Sequence, residues 1–204
     1  MKKFIVAIMA VLFAAPSFAQ FSSGGFSLDE NSVYYGIRLG VNFAGLSGDF
    51  NDNLGTKVGM NLGGVIGLRL SQTTPVFLES GLYYTERGAK DGKDKASLTY
   101  LEIPVLIKYG IQTGGDFVVL PYIGPYFSYG IAGKTKIHSP EGNINESSYE
   151  FFKHGDMGFK LGCGAEYNNL YAELGYQFGV ANILDVGDDE ARNHAFYINI
   201  GVNF

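Results

Sequence analysis

The sequence predicts an all-β fold: an eight-stranded antiparallel up-and-down transmembrane β-barrel. Three observations lead there. Apolar and polar residues alternate with a period of two through separate segments of about ten residues or more, the length a tilted strand needs to cross a bilayer. The connections between segments run long, short, long, short along the chain, as loops and turns do in outer-membrane-type barrels. The composition joins 29 Gly, 16 Phe and 14 Tyr to only 17% charged residues, and beyond the amino-terminal segment no apolar run is long enough for a spanning helix.

Residues 1–19 are expected to be a signal peptide. Lys2 and Lys3 form a positive start, residues 4–15 are an apolar run, Pro16 breaks it, and Ser17 and Ala19 put small residues where a signal peptidase reads. Without that segment the chain would have 204 − 19 = 185 residues, the length of one domain. Losing two lysines moves the net charge from −5 to −7, a poor balance for binding nucleic acid. Cys163 is the one cysteine and has no partner for an internal disulfide, so stability must come from the sheet. Residues 20–31, rich in Gly and Ser, read as a flexible periplasmic leader, and residues 32–204 as the barrel domain.

The first strand is expected over 33–43, with Val33, Tyr35, Ile37, Leu39, Val41 and Phe43 on one face and Tyr34, Gly36, Arg38, Gly40 and Asn42 on the other. A Gly/Asn/Asp-rich loop, 44–57, leads to a second strand over 58–70, where Val58, Met60, Leu62 and Leu68 oppose Gly59, Asn61, Gly63 and Arg69. After the turn 71–75 a third strand, 76–86, sets Leu78, Leu82 and Tyr84 against Glu79, Gly81 and Tyr83. An exposed connection over 87–96 precedes a fourth strand, 97–109, whose Pro104 lacks an amide donor and predicts a bulge or bend. A turn at 110–116, a fifth strand over 117–132 and the longest loop, 133–155, follow. The sixth strand, 156–167, and the seventh, 170–180, are joined by a tight turn at Asn168 and Asn169. An acidic loop over 185–193 leads to a final strand over 194–204.

Alternation alone would also fit a soluble barrel with an apolar interior. The polar face decides between them. It is crowded with glycine, which weakens a solvated strand but makes room for long neighbours in a narrow lumen. Its charges nearly balance: Arg38, Arg69, Arg87, Lys108 and Lys160 against Glu79, Glu102, Glu166 and Glu173, with Asp156 near the rim. Eight strands enclose a space that side chains just fill, so these charges are expected to form a lumen network that pairs them, whereas a lysine or arginine on the lipid face would cost about 2–4 kcal/mol near the midplane. The aromatics of the apolar face gather near strand ends, as two interfacial girdles require. An even strand count puts both termini on one side, which the short turns mark as periplasmic.

The stretch Gly36-Ile37-Arg38-Leu39-Gly40-Val41-Asn42-Phe43, the stretch Tyr100-Leu101-Glu102-Ile103-Pro104-Val105-Leu106-Ile107-Lys108-Tyr109, Pro121-Tyr122-Ile123-Gly124-Pro125 and Phe204 together resemble the small bacterial outer-membrane β-barrel family labelled "porin family", in the style of PorT-like, OmpX-like and OmpA-type barrels. The resemblance covers about residues 33–204 and implies a bacterial outer-membrane location. It also implies assembly by the outer-membrane insertion machinery, with the alternating Phe196, Ile198, Ile200, Val202 and Phe204 as the insertion signal. The porin label does not establish a channel.

Candidate chemistry is sparse. The stretch from Asp49 to Asn53 suggests a calcium loop, but Leu54 and Met60 stand where that pattern needs Gly and Glu, so it reads as a turn. Asp185, Asp188, Asp189 and Glu190 read as a solvated acidic loop, with divalent-cation bridging to headgroups as the other reading. His138, Ser139, His154 and Asp156 lie in or beside the longest loop without a strained nucleophile turn, so no catalytic residue is assigned. No cofactor or metal is expected. The expected partners are outer-membrane lipid, the insertion machinery during assembly, and an envelope or external partner at the long loops. The favoured reading is a monomer with a plugged lumen and a structural or surface-interaction role; the others are a narrow pore for ions or small solutes and an enzyme at the rim.

Overall fold

The structure, a computed structural model, describes residues 33–48, 55–71, 73–91, 94–114, 116–139, 142–146, 153–183 and 191–204. The expected signal peptide and leader lie outside them, as do the turn at Asp49 to Asn53 and the acidic cluster from Asp185 to Glu190.

Among the described residues the chain forms strands and no helix: β1 (Val33–Gly48), β2 (Gly55–Arg69), β3 (Val76–Asp91), β4 (Asp94–Tyr109), β5 (Ile111–Gly114), β6 (Phe117–Ser139), β7 (Gly142–Glu146), β8 (Gly155–Tyr167), β9 (Leu170–Gly179) and β10 (Ala191–Asn203). Every pairing is antiparallel. The order β4-β3-β2-β1-β10-β9-β8-β6 returns to β4 through the β4–β6 pairing, which closes an eight-stranded barrel. The short strands β5 and β7 pair only with β6 at its two ends. The seam between β1 and β10 runs from Gly36 opposite Asn203 to Gly48 opposite Ala191, and Tyr35 and Phe204 exchange backbone hydrogen bonds of 3.1 and 2.8 Å beyond it.

The connections at 70–75, 110–116 and 168–169 lie at one end of the barrel, called here the short-turn end, and those at 49–54, 92–93, 140–154 and 180–190 at the other, the long-loop end, where β3 and β4 come within two residues of each other. At the short-turn end Asn168 adopts φ 54°, a left-handed conformation that Asn tolerates better than most residues. The apolar face of each strand is outward: Ile37 is 54% exposed, Ile123 59% and Ile200 61%, whereas their neighbours Arg38 and Lys108 are fully buried within the barrel. An apolar exterior around a charged interior is the inverse of a soluble fold and the arrangement a bilayer selects.

Several strands run further than the sequence pattern predicts. The expected exposed connection at 87–96 is mostly ladder, with β3 and β4 paired up to Asp91 opposite Asp94, and Arg87 is buried. The expected loops at 44–57 and 133–155 contain the ends of β1 and β2 and a β6–β7 hairpin, and the expected turn at 110–116 contains β5. Beyond the hydrocarbon a strand no longer needs an apolar face, so its polar composition imitates a loop while its backbone hydrogen bonds continue. At Pro104 no bulge forms, although the ladder is interrupted there. The register stays continuous on both sides of it, the ladder skips positions 81–82, and Ser80 Oγ donates to the Pro104 carbonyl at 2.8 Å. The register shift of β4 against β6 falls instead at Thr99 and Tyr100, where β6 carries the extra residue Ile131.

Candidate functional site

The lumen is the polar centre of the molecule, and its charged groups fall into two clusters. In the short-turn half, Glu79 is shared: Lys108 Nζ lies 2.8 Å from one oxygen and Arg38 Nη2 3.6 Å from the other, which also accepts from Tyr34 Oη at 2.7 Å. Lys108 also donates to Tyr171 Oη at 2.8 Å, and Tyr171 donates in turn to Glu173 at 2.8 Å. Arg38 stacks 3.8 Å above the Tyr171 ring and donates to Asn203 Oδ1 at 2.7 Å, whose amide donates to Glu166 at 2.8 Å. Asn199 links Glu173 to Asn61, at 2.7 and 2.9 Å.

In the long-loop half, Arg87 is the hub. It is ion-paired to Glu102 and, at 2.9 Å, to Asp156, and with the Gln177 amide turned so that its oxygen faces the guanidinium, Gln177 accepts from it as well. Lys160 pairs with the other oxygen of Glu102, and Ser128 Oγ donates to that carboxylate at 3.1 Å. Tyr126 and Asn193 donate to Asp156 at 3.3 and 3.0 Å. Between the clusters the hydroxyls of Tyr122 and Tyr197 meet at 2.9 Å, and Lys160 lies 4.7 Å above the Tyr197 ring. Removing an ion from water costs several kcal/mol even after relaxation, so such groups persist only when carboxylates, cations and hydroxyls satisfy one another.

Glycine makes this density geometrically possible. A Cβ at Gly175 would collide with both the Tyr122 and Tyr197 hydroxyls, and one at Gly67 would sit in the Tyr34 ring.

Apolar residues lie at both mouths. Tyr34, Phe77, Val118, Leu120 and Tyr171 cluster at the short-turn end. At the other end Leu98, Tyr100, Ala191 and Ile183 form a second cluster with Leu46 against it. Ile183 belongs to the connection after β9 and folds back into the mouth. Its amide donates to the Ala191 carbonyl at 2.9 Å and its carbonyl accepts from the Lys153 amide at 2.7 Å.

Arg38, Glu79, Arg87, Glu102, Lys108, Lys160, Glu166 and Glu173 are all buried inside the barrel. Arg69 is half-exposed at the short-turn rim, with Nε donating to the Ser71 carbonyl at 2.7 Å. Asp156, placed near the rim by the sequence pattern, is buried at the Arg87 hub. His154 is exposed, stacked on Tyr129, with Nδ1 2.8 Å from the Gly130 carbonyl. The structure therefore puts Asp156 inside the wall and His154 outside; the side chains of His138 and Ser139 lie outside the described residues. Phe196, Ile198, Ile200 and Phe204 are exposed on the outward face, and Val202 is half-exposed. The buried tyrosines were recoverable from parity, since Tyr122, Tyr126, Tyr171 and Tyr197 occupy the polar positions of their strands. No such signal marks Ile183.

Comparison with known proteins agrees with this geometry. Residues 18–185 match the family model described as outer membrane protein beta-barrel domain. A major outer membrane protein from Thermus thermophilus superposes with a TM-score of 0.53 at 16% identity, covering 85% of this chain and 100% of that one. Neisserial surface protein A gives 0.49 at 16% identity over 85% and 98%, and OprG from Pseudomonas aeruginosa 0.48 at 14% over 88% and 99%. Among curated proteins none matches. A closed antiparallel barrel, apolar outside and charged within, together with a family match over most of its length, makes this chain a member of the outer membrane protein beta-barrel domain family and a protein of the bacterial outer membrane.

Proposed function

We propose that the protein is a plugged barrel, monomeric, with a structural or surface-interaction role rather than a transport or enzymatic one. The observation that carries this reading is the lumen itself: ion pairs and tyrosine hydroxyls occupy it in both halves, with apolar clusters at both mouths. An eight-stranded barrel leaves little room for water beside them. In planar bilayers the purified protein is expected to give no steady, resolvable openings. Reproducible single-channel steps would replace this reading with a narrow pore.

The short-turn end faces the periplasm in this proposal, with both termini, and the long-loop end faces outside, where its connections meet envelope or external partners. In a Cys163→Ser background, Ser47→Cys is expected to react with a membrane-impermeant maleimide on intact cells and Thr73→Cys is not; the reverse pattern would invert the orientation. The alternating outward residues Phe196, Ile198, Ile200, Val202 and Phe204 serve as the signal that the insertion machinery reads. Deleting Phe204 is expected to lower the inserted fraction more than the stability of barrels already formed, as separated on heat-modifiability gels. Equal loss of both would count against a signalling role.

A further inference from the structure

Toward the long-loop end the outward face of β10 changes chemistry within two positions. Ile200, Ile198 and Phe196 are apolar and exposed; the next two outward residues are His194, half-buried, and Arg192, exposed. Phe196 meets Phe43 of β1 across the closing seam, with ring centroids 6.2 Å apart. On these two strands that pair of rings ends the apolar surface. His194 and Arg192 stand two and four residues beyond Phe196, about 5 and 10 Å of height at 3.3 Å per residue and a tilt of about 40°. That is the depth of lipid headgroups, just outside the hydrocarbon.

Across the seam, β1 leaves a notch beside them. Gly45 is opposite His194, and Ser47 is opposite Arg192. A Cβ on Gly45 would come within 2.6 Å of Nε2 and 2.9 Å of Cε1 of His194, so the imidazole leans over the glycine. On its other side the ring is stacked on Tyr176 of β9, with centroids 6.4 Å apart and planes at 24°. Ser47 is exposed, and its hydroxyl donates to the Arg192 carbonyl at 3.5 Å, a distance at which a stronger acceptor would capture the proton. Among the described residues no Asp or Glu side chain shares the outward face of β1, β9 or β10. A guanidinium, an imidazole and a hydroxyl therefore border one notch with a glycine floor. The guanidinium matches the oxygens of a phosphate bidentately, and the other two supply neutral donors.

We propose that Arg192, His194, Ser47 and the Gly45 notch hold the phosphate of a membrane-lipid headgroup across the β1–β10 seam, with the acyl chains of that lipid against Phe43 and Phe196. The test uses the mature chain, folded in detergent micelles, with phosphatidic acid as the probe and lipid bound to the folded barrel read by native mass spectrometry. Arg192→Gln is expected to bind about tenfold more weakly than wild type, and His194→Ala and Ser47→Ala each about threefold. Gly45→Val fills the notch and pushes the imidazole aside without removing a polar group, and should also lose about threefold. Arg69→Gln removes the same charge at the opposite rim and should stay within about twofold. Wild-type affinity in both Arg192→Gln and Gly45→Val overturns the site, and so does a loss in Arg69→Gln equal to that in Arg192→Gln. Diacylglycerol with the same acyl chains is expected to bind wild type as weakly as phosphatidic acid binds Arg192→Gln; undiminished binding overturns phosphate recognition. Complete displacement of the lipid by an equal concentration of inorganic phosphate would assign the notch to free phosphate and overturn the lipid. The site is the same whichever side of the membrane the long-loop end faces, so an inverted result in the cell-surface labelling above leaves this test intact.

Discussion

At the short-turn mouth the apolar cluster is carried entirely on barrel strands: Tyr34 on β1, Phe77 on β3, Val118 and Leu120 on β6, Tyr171 on β9. At the long-loop mouth the corresponding cluster includes Ile183, which belongs to a connection and reaches its place by folding inward. The two charged clusters differ in a parallel way. Glu79 in the short-turn half is served by two cations and a tyrosine, whereas Arg87 in the long-loop half bridges two carboxylates. A seal built on strands is fixed by the hydrogen-bonded ladder and moves only if the wall opens. A seal built on a loop residue can be removed by one local change, and a hub is more vulnerable than a shared acceptor.

The largest expected effect separates the hubs. Arg87→Met leaves Asp156 buried without its cation and Glu102 dependent on Lys160, and should cost about 3–5 kcal/mol in denaturant unfolding of the detergent-solubilised barrel. Arg38→Met leaves Glu79 with Lys108 and Tyr34, and should cost about 2 kcal/mol. Equal costs would erase the distinction between hub and shared acceptor. The mouths come next. Phe77→Ala should cost about 3–4 kcal/mol because the strands around it cannot collapse into the gap. Ile183→Ala should cost about 2 kcal/mol, since a loop can settle into the space it leaves. The smallest effect is on access rather than stability. In a Cys163→Ser background, Ser128→Cys should react faster with a water-soluble maleimide when Ile183→Gly is added. Unchanged reactivity would mean that the loop residue does not guard the long-loop half of the lumen.

The strands and their two faces were legible because lipid contact forces a strict rule on every second residue, and Val33 to Phe43 or Phe196 to Phe204 obey it without exception or nearly so. Lumen residues were legible as a class for the same reason. Their partners were not: Arg87 and Asp156 are 69 residues apart in the chain, and only barrel closure brings them together. The extensions of β3, β4 and β6 read as loops in the sequence because apolar and polar residues do not alternate there, while the backbone ladder continues. Ile183 was invisible because the short stretch around it, which also holds Ala181, Leu184 and Val186, has no periodicity that singles it out; its burial depends on a mouth formed by Leu98, Tyr100 and Ala191.

The β1–β10 seam governs how the molecule must be made. It joins Gly36 to Asn203, 203 − 36 = 167 residues apart, so the final ladder closes the longest loop in the chain. Until it forms, both terminal strands expose a full row of unpaired amides and carbonyls beside an apolar face, the combination that drives edge-to-edge aggregation. Long-range pairing of this kind is slow. Between export and insertion the chain therefore has an interval in which its productive route competes with self-association, and a slower closure of this one seam lengthens that interval without weakening the finished barrel.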